Sequence, residues 1–239
     1  MIELVKNIAK RILWKNYYSN DVYIKYLRKG GAKIGNGTFF YCPSKRPVDE
    51  SSLPYVEIGQ YCRITEGVKI LAHDYSYAVL RPVYHSMPFK VGVTRIGDNV
   101  FIGMNAIVCM GVTVGSNVVI GAGSIVTHNV PSNVVVGGNP ARVICTLEDY
   151  YNRCTEKFEK NAKLFFERET AYLGRELLEE EMGWFLSLWE TEKKRDYLKD
   201  ARVDGDEVTE VIEDILQIKP KYRSFEEFKE KVIHGDINL

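Results

Sequence analysis

The segment 71–95 concentrates side chains that could do chemistry. It holds two of the four histidines of the chain, three tyrosines, two prolines and three cationic residues. His73 opens it, shortly after the apolar turn at Ile70, so we expect a fixed backbone with the imidazole facing whatever the segment covers. A neutral imidazole accepts a proton from a hydroxyl near neutral pH, where carboxylates are too weakly basic. His73 is therefore the candidate general base.

Two other interpretations stay open. His73 could be a hydrogen-bonded structural histidine at the root of a loop. His85 could supply the base instead, but it lies mid-segment between Tyr84 and Ser86, where a mobile backbone would position it poorly.

The segment interrupts a period of six residues. The residue directly after each apolar anchor is often glycine, and the residue four positions after the anchor is small or β-branched. A helix repeats its apolar face every 3.6 residues and a strand every two, so neither fits. The period predicts a solenoid of short parallel strands that stack coil on coil. The anchors are Ile58, Ile64, Ile70, Ile96, Ile102, Val108, Val114, Ile120 and Val126.

We predict two interruptions of the solenoid and a helical segment at each of its two ends. The register is lost over 42–54, which we interpret as a loop thrown out of the coil, and again over 71–95. Residues 2–29 have mostly helical spacing before Gly30-Gly31 and predict one or two capping helices. From Thr146 the pattern is helical, with capping boxes at 146–149 and 224–227 and an aromatic stripe that favours packing over a ligand site.

The motifs I-G-D-N-V-F-I-G-M-N-A-I-V-C-M-G-V-T-V-G-S-N-V-V-I-G-A-G-S-I-V (96–126) and V-P-S-N-V-V-V-G-G-N-P-A-R-V-I (130–144) resemble the hexapeptide-repeat acyltransferases, in particular the xenobiotic and polysaccharide O-acetyltransferase branch. The resemblance covers about 30–146. It implies a left-handed parallel β-helix over 31–145 with 71–95 extruded. Together with the N-terminal helical cap over 1–30 and the α-helical C-terminal extension over 146–239 that the residue patterns predict, this gives a mainly β chain. The resemblance also implies a homotrimer with sites between subunits.

The resemblance places a catalytic histidine where this chain has His73. The branch usually has an aspartate three residues later, where this chain has Ser76, so the group that orients His73 is open, with Asp74 a candidate. In the galactoside and maltose branch the base lies in I-G-x-H-x-x-I. The counterpart here is Asn105, which can hydrogen bond to acceptor or cofactor but cannot take a proton.

The implied reaction is direct transfer of acetyl from acetyl-CoA to a hydroxyl, with no metal. The acceptor is a small molecule or a carbohydrate, and its predicted contacts are Asp74, Tyr75, Tyr77, Arg81, Tyr84, His85 and Asn105. Backbone N–H groups at a glycine-rich corner are suitable oxyanion donors. We assign Arg142 to a CoA phosphate, an ordinary surface cation being the alternative. The predicted cofactor contacts are Gly103, Gly121, Ala122, Gly123, Ser124, His128, Asn139, Pro140, Ala141 and Arg142.

Composition agrees with a cytoplasmic protein of 239 residues that is 45% hydrophobic. Residues 1–144 carry 16 Lys and Arg against 8 Asp and Glu, and 145–239 carry 16 against 24. A basic β-helix suits an anionic ligand, although attraction between the two halves explains the split equally well. No basic cluster interleaved with aromatics predicts nucleic-acid binding, and no signal peptide or membrane insertion is expected. Five cysteines without C-x-x-C indicate neither disulfides nor zinc.

Several functions remain open on the sequence. They are O-acetylation of a sugar in a capsule, exopolysaccharide or O-antigen unit, O-acetylation of a chloramphenicol- or streptogramin-like compound, N-acetylation of an amino sugar, and a non-catalytic β-helix scaffold. A metal-dependent relative is disfavoured because only His73 of the histidines has a plausible coil position for a zinc ligand. The acceptor, the acyl chain length and the role of the extension are not determined.

Overall fold

The computed structural model describes residues 15–199 and 205–234. Contacts within the chain divide it into two compact units, Met1–Tyr150 and Tyr151–Leu239. The helical spacing predicted within 2–14 lies outside the described residues. None of the described helices is long and apolar enough to cross a membrane.

The first unit is a parallel β-helix. Its described strands are β1 Lys33–Ile34, β2 Phe39–Phe40, β3 Val56–Ile58, β4 Arg63–Ile64, β5 Lys69–Ile70, β6 His73–Asp74, β7 Lys90–Val91, β8 Thr94–Ile96, β9 Val100–Ile102, β10 Ile107–Val108, β11 Thr113–Val114, β12 Val118–Ile120, β13 Ile125–Val126, β14 Val134–Gly137 and β15 Arg142–Thr146. They form a first sheet β1-β3-β8-β11, a second sheet β2-β4-β9-β12-β14-β15 and a third sheet β5-β10-β13. Strands β14 and β15 pair antiparallel, and β6 and β7 form a separate hairpin.

The six-residue anchors stack directly on one another inside this coil. In the third sheet Ile70 pairs with Val108, and Val108 with Val126. The other two sheets keep equivalent registers, and all nine anchors are buried. Three hexads make one turn, so each anchor lies above the anchor eighteen positions earlier wherever no segment is inserted. The predicted solenoid of parallel strands is confirmed.

The corners of the coil explain the remaining sequence pattern. A Cβ on Gly59 would lie 2.6 Å from the carbonyl carbon of Gly97 in the next coil, so this close approach requires glycine. The third residue of such a corner, two positions after the glycine in Gly97-Asp98-Asn99, has positive φ at Asn99, Asn117 and Asn133, which asparagine tolerates better than other residues with a Cβ. Their amides form a ladder, with Asn99 donating to Asn117 at 2.9 Å and Asn117 donating to Asn133 at 3.0 Å.

The prediction that 42–54 is expelled from the coil is wrong. Val48 is buried and bridges Ile70 in parallel, so this stretch forms the third side of the first coil. The flanking bonds are Ile70 N–H to the Pro47 carbonyl at 2.7 Å and Asp49 N–H to the Ile70 carbonyl at 2.9 Å. Short 3-10 turns over Pro43–Lys45 and Glu50–Tyr55 flank it.

Within the segment 71–95 the chain leaves the coil between Ala72 and Thr94, and it has regular structure of its own there. Strands β6 and β7 pair through His73 with Val91 and Asp74 with Lys90. Between them runs the helix Tyr77–Tyr84, none of whose side chains is buried.

The helix Asn20–Lys29 caps the first coil. Ser19 accepts a hydrogen bond from Val22 N–H at its N-terminus, and its buried face joins the core of the coil. At the other end the Arg28 guanidinium donates to the Ile34 carbonyl at 2.7 and 3.0 Å and to the Gly35 carbonyl at 3.3 Å. These contacts occupy carbonyl groups of the edge strand β1.

Beyond the β-helix the described chain is helical, so the description "mainly β" fits only the first part. Thr146 and Ser224 cap their helices as predicted, accepting from Asp149 N–H at 3.0 Å and Glu227 N–H at 3.2 Å. The described α-helices are α1 Asn20–Lys29, α2 Tyr77–Tyr84, α3 Leu147–Glu156, α4 Phe158–Leu173, α5 Lys194–Leu198, α6 Val208–Gln217 and α7 Phe225–Phe228, with 3-10 turns at Lys15–Tyr17 and Glu179–Leu188 and a π-helical turn at Lys229–Ile233.

The second unit has its own aromatic core around Trp189. The Trp189 ring contacts the rings of Phe225 and Phe228, and its indole N–H donates to Glu179 at 2.8 Å. The predicted packing stripe is confirmed at this residue, but Tyr172 is 84% exposed and does not belong to the core.

We predict that Asn117→Val destabilises the β-helix more than Asn117→Gly. Both changes break the asparagine ladder, a loss of roughly 1 kcal/mol per hydrogen bond. Only valine adds the cost of a β-branched residue at φ 58°, about 1–3 kcal/mol more. Thermal unfolding of both variants measures the difference, and equal midpoints would contradict it.

Candidate active site

The backbone around His73 is fixed by the coil. Leu71 N–H donates to the Val108 carbonyl at 3.0 Å, and the Thr94 hydroxyl donates to the Leu71 carbonyl at 2.6 Å. Ala72 is completely buried, and its carbonyl accepts from Gly92 N–H at 3.1 Å. His73 therefore projects from a rigid root.

The imidazole of His73 is paired with a carboxylate from the preceding coil. Its Nδ1 is hydrogen bonded to Asp49 Oδ2, and the Ser51 hydroxyl lies 3.1 Å from the same nitrogen. The side chains of Asp49 and His73 are 8% and 21% exposed. Because a carboxylate can only accept, Nδ1 carries the hydrogen and the Nε2 lone pair is available. In the described part of the chain no hydrogen bond occupies Nε2.

The Asp49 carboxylate is itself held by three further donors. Oδ1 accepts from Ser51 N–H at 3.2 Å and from the Ser51 hydroxyl at 2.7 Å, and Oδ2 accepts from Ala72 N–H at 3.1 Å. Burial alone would raise the pKa of Asp49, but the hydrogen bonds from Ser51, His73 and Ala72 outweigh it and lower the pKa. Asp49 is thus a fixed anion beneath His73.

Asp74, the sequence candidate for orienting His73, has other partners. Its carboxylate accepts from Ser76 N–H at 2.7 Å and from the Ser76 hydroxyl at 2.8 Å, and it pairs with Lys90 at 3.5 Å. Strand alternation sends neighbouring side chains in opposite directions, so Asp74 points away from the ring that precedes it. It stabilises the turn that follows the strand instead.

The other predicted acceptor residues of the segment are spread along it. Tyr75 contacts the His73 ring edge-on at 5.8 Å between centroids, and Tyr77 contacts Tyr75 at 5.1 Å. Tyr84 is 70% exposed at the end of α2, and Arg81 is exposed on the same helix. His85 ends the helix with positive φ and an exposed side chain, and no hydrogen bond or ring contact in the described residues joins it to His73.

The predicted cofactor corner between β12 and β13 is mostly committed to the coil. Gly121 N–H donates to the Val136 carbonyl and Gly123 N–H to the Met104 carbonyl, both at 2.8 Å. Ser124 N–H donates to Gly121, and the Ser124 side chain is fully buried inside the coil, so it cannot face a cofactor. Among the described residues the amide of Ala122, which is exposed, is the one of these four without an acceptor. The corner offers one oxyanion donor rather than four.

The preceding corner holds Gly103 and Asn105. Gly103 is buried under Ala122, whose nitrogen would lie 2.5 Å from an added Cβ. Asn105 is exposed with φ 60°, and its Oδ1 lies where a Cβ on Gly67 would be, so this asparagine closes a left-handed corner.

The closing motif completes the last coil. The Gly138 carbonyl accepts from Ile125 N–H at 3.0 Å, and Ala141 N–H donates to the Ile125 carbonyl at 2.8 Å. Asn139 and Pro140 are exposed, and the exposed Arg142 donates to its neighbouring carbonyl, which leaves most of its donors open to solvent. His128 is exposed after β13, with Nδ1 2.8 Å from the Thr127 hydroxyl.

Within one chain these residues occupy two different corners. His73 and His128 follow strands of the third sheet, at its corner with the first sheet. Gly103, Asn105 and Ala122 precede strands of the third sheet, at its corner with the second. One side of six residues at about 3.3 Å per residue separates the corners by roughly 20 Å. The chain brings Asp49 to His73 but does not bring Ala122 to it.

Sequence reasoning missed Asp49. Its signal was weak: the apolar residue Val48 stands two positions later than the period of six requires after Phe40, so the stretch looked like a loop. Val48 lies 22 positions before its partner Ile70, four more than one coil of eighteen, so counting back from Ile70 does not find it either.

Comparison with known proteins agrees with this fold. Residues 93–128 match the family model described as hexapeptide repeat of succinyl-transferase. Protein CapG of Staphylococcus aureus is 40% identical over 151 residues, which cover 62% of this chain and 84% of the relative. The galactoside O-acetyltransferase of Escherichia coli K12 is 47% identical, covering 61% and 68%, and the chloramphenicol acetyltransferase of Klebsiella aerogenes is 29% identical, covering 59% and 70%.

These matches define the class of the protein as an acyltransferase. The chain belongs to the hexapeptide-repeat acetyltransferase family.

We predict that Asp49→Asn lowers the free energy of unfolding at pH 7 by roughly 1.5–3 kcal/mol, the range for hydrogen bonds to a charged group. A lowered pKa in the folded state stabilises the protein above the unfolded pKa, and this contribution is lost as pH falls through the folded value. The difference in the free energy of unfolding between variant and wild type should therefore become smaller below about pH 4. Urea unfolding at pH 7, 5 and 3 tests this, with the exposed Asp214→Asn as control. A gap independent of pH would contradict it.

Proposed function

We propose that this protein transfers an acetyl group from acetyl-CoA to a hydroxyl of a sugar, with His73 as general base. The observation that carries the proposal is the His73–Asp49 pair at a rigid root, with Nε2 free to accept a proton. The hydroxyl oxygen forms a bond to the thioester carbon, the carbon–sulfur bond breaks, and the proton passes through His73 Nε2 to the departing thiolate. Asp49 keeps the imidazole in the required tautomer and stabilises its protonated state.

Acetyl-CoA fits the groups available on the β-helix. The exposed Ala122 amide can donate to the oxygen on which charge develops. Arg142, exposed at the end of the closing motif, can meet a phosphate. The family resemblance also predicts the left-handed sense of the coil.

The acceptor is proposed from the side chains beside His73. Exposed tyrosine rings and nearby ionic groups suit the flat faces and hydroxyls of a sugar, and the relative from Escherichia coli is named for a galactoside. The second candidate is a chloramphenicol-like acceptor, favoured by the match to the acetyltransferase of Klebsiella aerogenes. A panel of both acceptors distinguishes them.

We predict that His73→Ala lowers kcat for acceptor-dependent thiol release by about 10²-fold or more, because the reacting hydroxyl loses its base. The same assay with His234→Ala, a change at an exposed residue of the second unit, should give wild-type rates. Asp49→Asn should lower kcat with little change in KM for acetyl-CoA. If His73→Ala retains activity and His85→Ala does not, the base is His85. No thiol release by the wild type with any acceptor would leave the scaffold alternative.

A homotrimer with shared sites is also proposed, because the two corners of one chain are too far apart to act on the same thioester. His73 of one subunit would face the Ala122 corner of its neighbour.

We predict that coexpressed His73→Ala and Ala122→Trp chains regain activity that neither has alone. In a mixed trimer one interface combines an intact base with an intact corner, so roughly one third of wild-type activity per trimer should return. Tandem affinity purification of differently tagged chains, followed by thiol release, measures this. An inactive mixture would place the whole site within one chain.

A further inference from the structure

A row of aromatic rings begins at His73 and extends along the segment 71–95. Successive centroid separations are 5.8 Å from His73 to Tyr75, 5.1 Å from Tyr75 to Tyr77 and 5.8 Å from Tyr77 to Phe89. Phe89 was not among the residues that the sequence singled out. We call these four side chains the ring row.

The ring row is rigid although it lies outside the coil. The β6–β7 hairpin pairs His73 with Val91, so His73 lies on β6 and Phe89 directly precedes β7. The Asp74 carboxylate closes the turn to Ser76 between Tyr75 and Tyr77. A row held in this way loses little conformational entropy when a ligand stacks on it.

Two rings of the row are largely exposed to solvent. Tyr75 is 66% exposed and Phe89 is 59% exposed, whereas Tyr77 is half-buried. The two tyrosines of the row also carry hydroxyl groups that can donate and accept hydrogen bonds. Aromatic faces bordered by hydrogen-bonding groups match a pyranose ring, which has apolar C–H faces and a rim of hydroxyls.

The length of the row decides the size of the acceptor. Each ring-to-ring step is comparable to one pyranose unit, so a single sugar next to His73 would cover Tyr75 and leave Phe89 bare. We propose that the acceptor is an oligosaccharide of at least two units, with the reacting hydroxyl at His73 and a distal sugar stacked on the ring of Phe89. The inference rests on the proposed function and adds to it a distal subsite for which Phe89 is the specificity-determining residue.

The test compares acceptors of different length in wild type, Phe89→Ala and Tyr172→Ala, the last removing an 84% exposed ring from the second unit. The acceptors are galactose, glucose and N-acetylglucosamine as one, two and four units. Phe89→Ala should raise KM for the longer acceptors by about 5- to 10-fold, the loss expected for one stacked ring. Its KM for single sugars and its kcat should stay at wild-type values, and Tyr172→Ala should match the wild type throughout.

The inference is overturned if wild-type KM does not depend on chain length in any series, or if Phe89→Ala affects all lengths equally. A lower oligomeric mass of Phe89→Ala in analytical ultracentrifugation would overturn it too, because the row would then be a face between copies of the chain. Titration calorimetry of the four-unit sugars needs no turnover. This titration separates the two proposals if the wild type shows no thiol release. Absence of sugar binding by the wild type would then reject the inference. Binding by the wild type that Phe89→Ala loses would support the distal subsite although the proposed reaction fails.

Discussion

Everything in the first unit follows from the requirement that each coil lie directly on the one before it. Backbone hydrogen bonds between parallel strands fix the spacing of the coils, and the buried anchors fix their rotation, as in the stack of Ile70, Val108 and Val126. A residue that changes the spacing or the rotation of one coil therefore shifts every later coil. This is why glycine is required where Gly59 meets Gly97, and why asparagine recurs at left-handed corners.

The same requirement brings Asp49 and His73 together. Asp49 and Ala72 leave the third sheet at the same corner in successive coils, so the carboxylate of one coil lies beneath the backbone that carries His73. Neither residue needs to be near the other in sequence. The coil also spaces its corners too widely for one chain to hold the proposed base and the proposed oxyanion donor together, which makes association of chains part of the proposed chemistry.

The sequence predicted the features that repeat and missed those that occur once. The anchors from Ile96 to Val126 predict the coil because each hexad repeats the pattern of the others. Val48 occurs once, two positions out of step, so its side of the first coil looked like a loop and Asp49 was not found. Ser124 was assigned to the cofactor because its corner is glycine-rich, yet a residue four after the anchor points inward. Phe89 has no pattern at all, since its neighbours are brought to it only by the pairing of β6 with β7.

Arg28 has a consequence for how copies of this protein can meet. An open β-helix end offers strand carbonyls to which another coil could bond, and stacking of that kind has no natural limit, so it produces filaments. The guanidinium already bonded to Ile34 and Gly35 occupies that position on β1. Growth of a coil stack along the axis is therefore blocked at this end by a side chain of the protein itself.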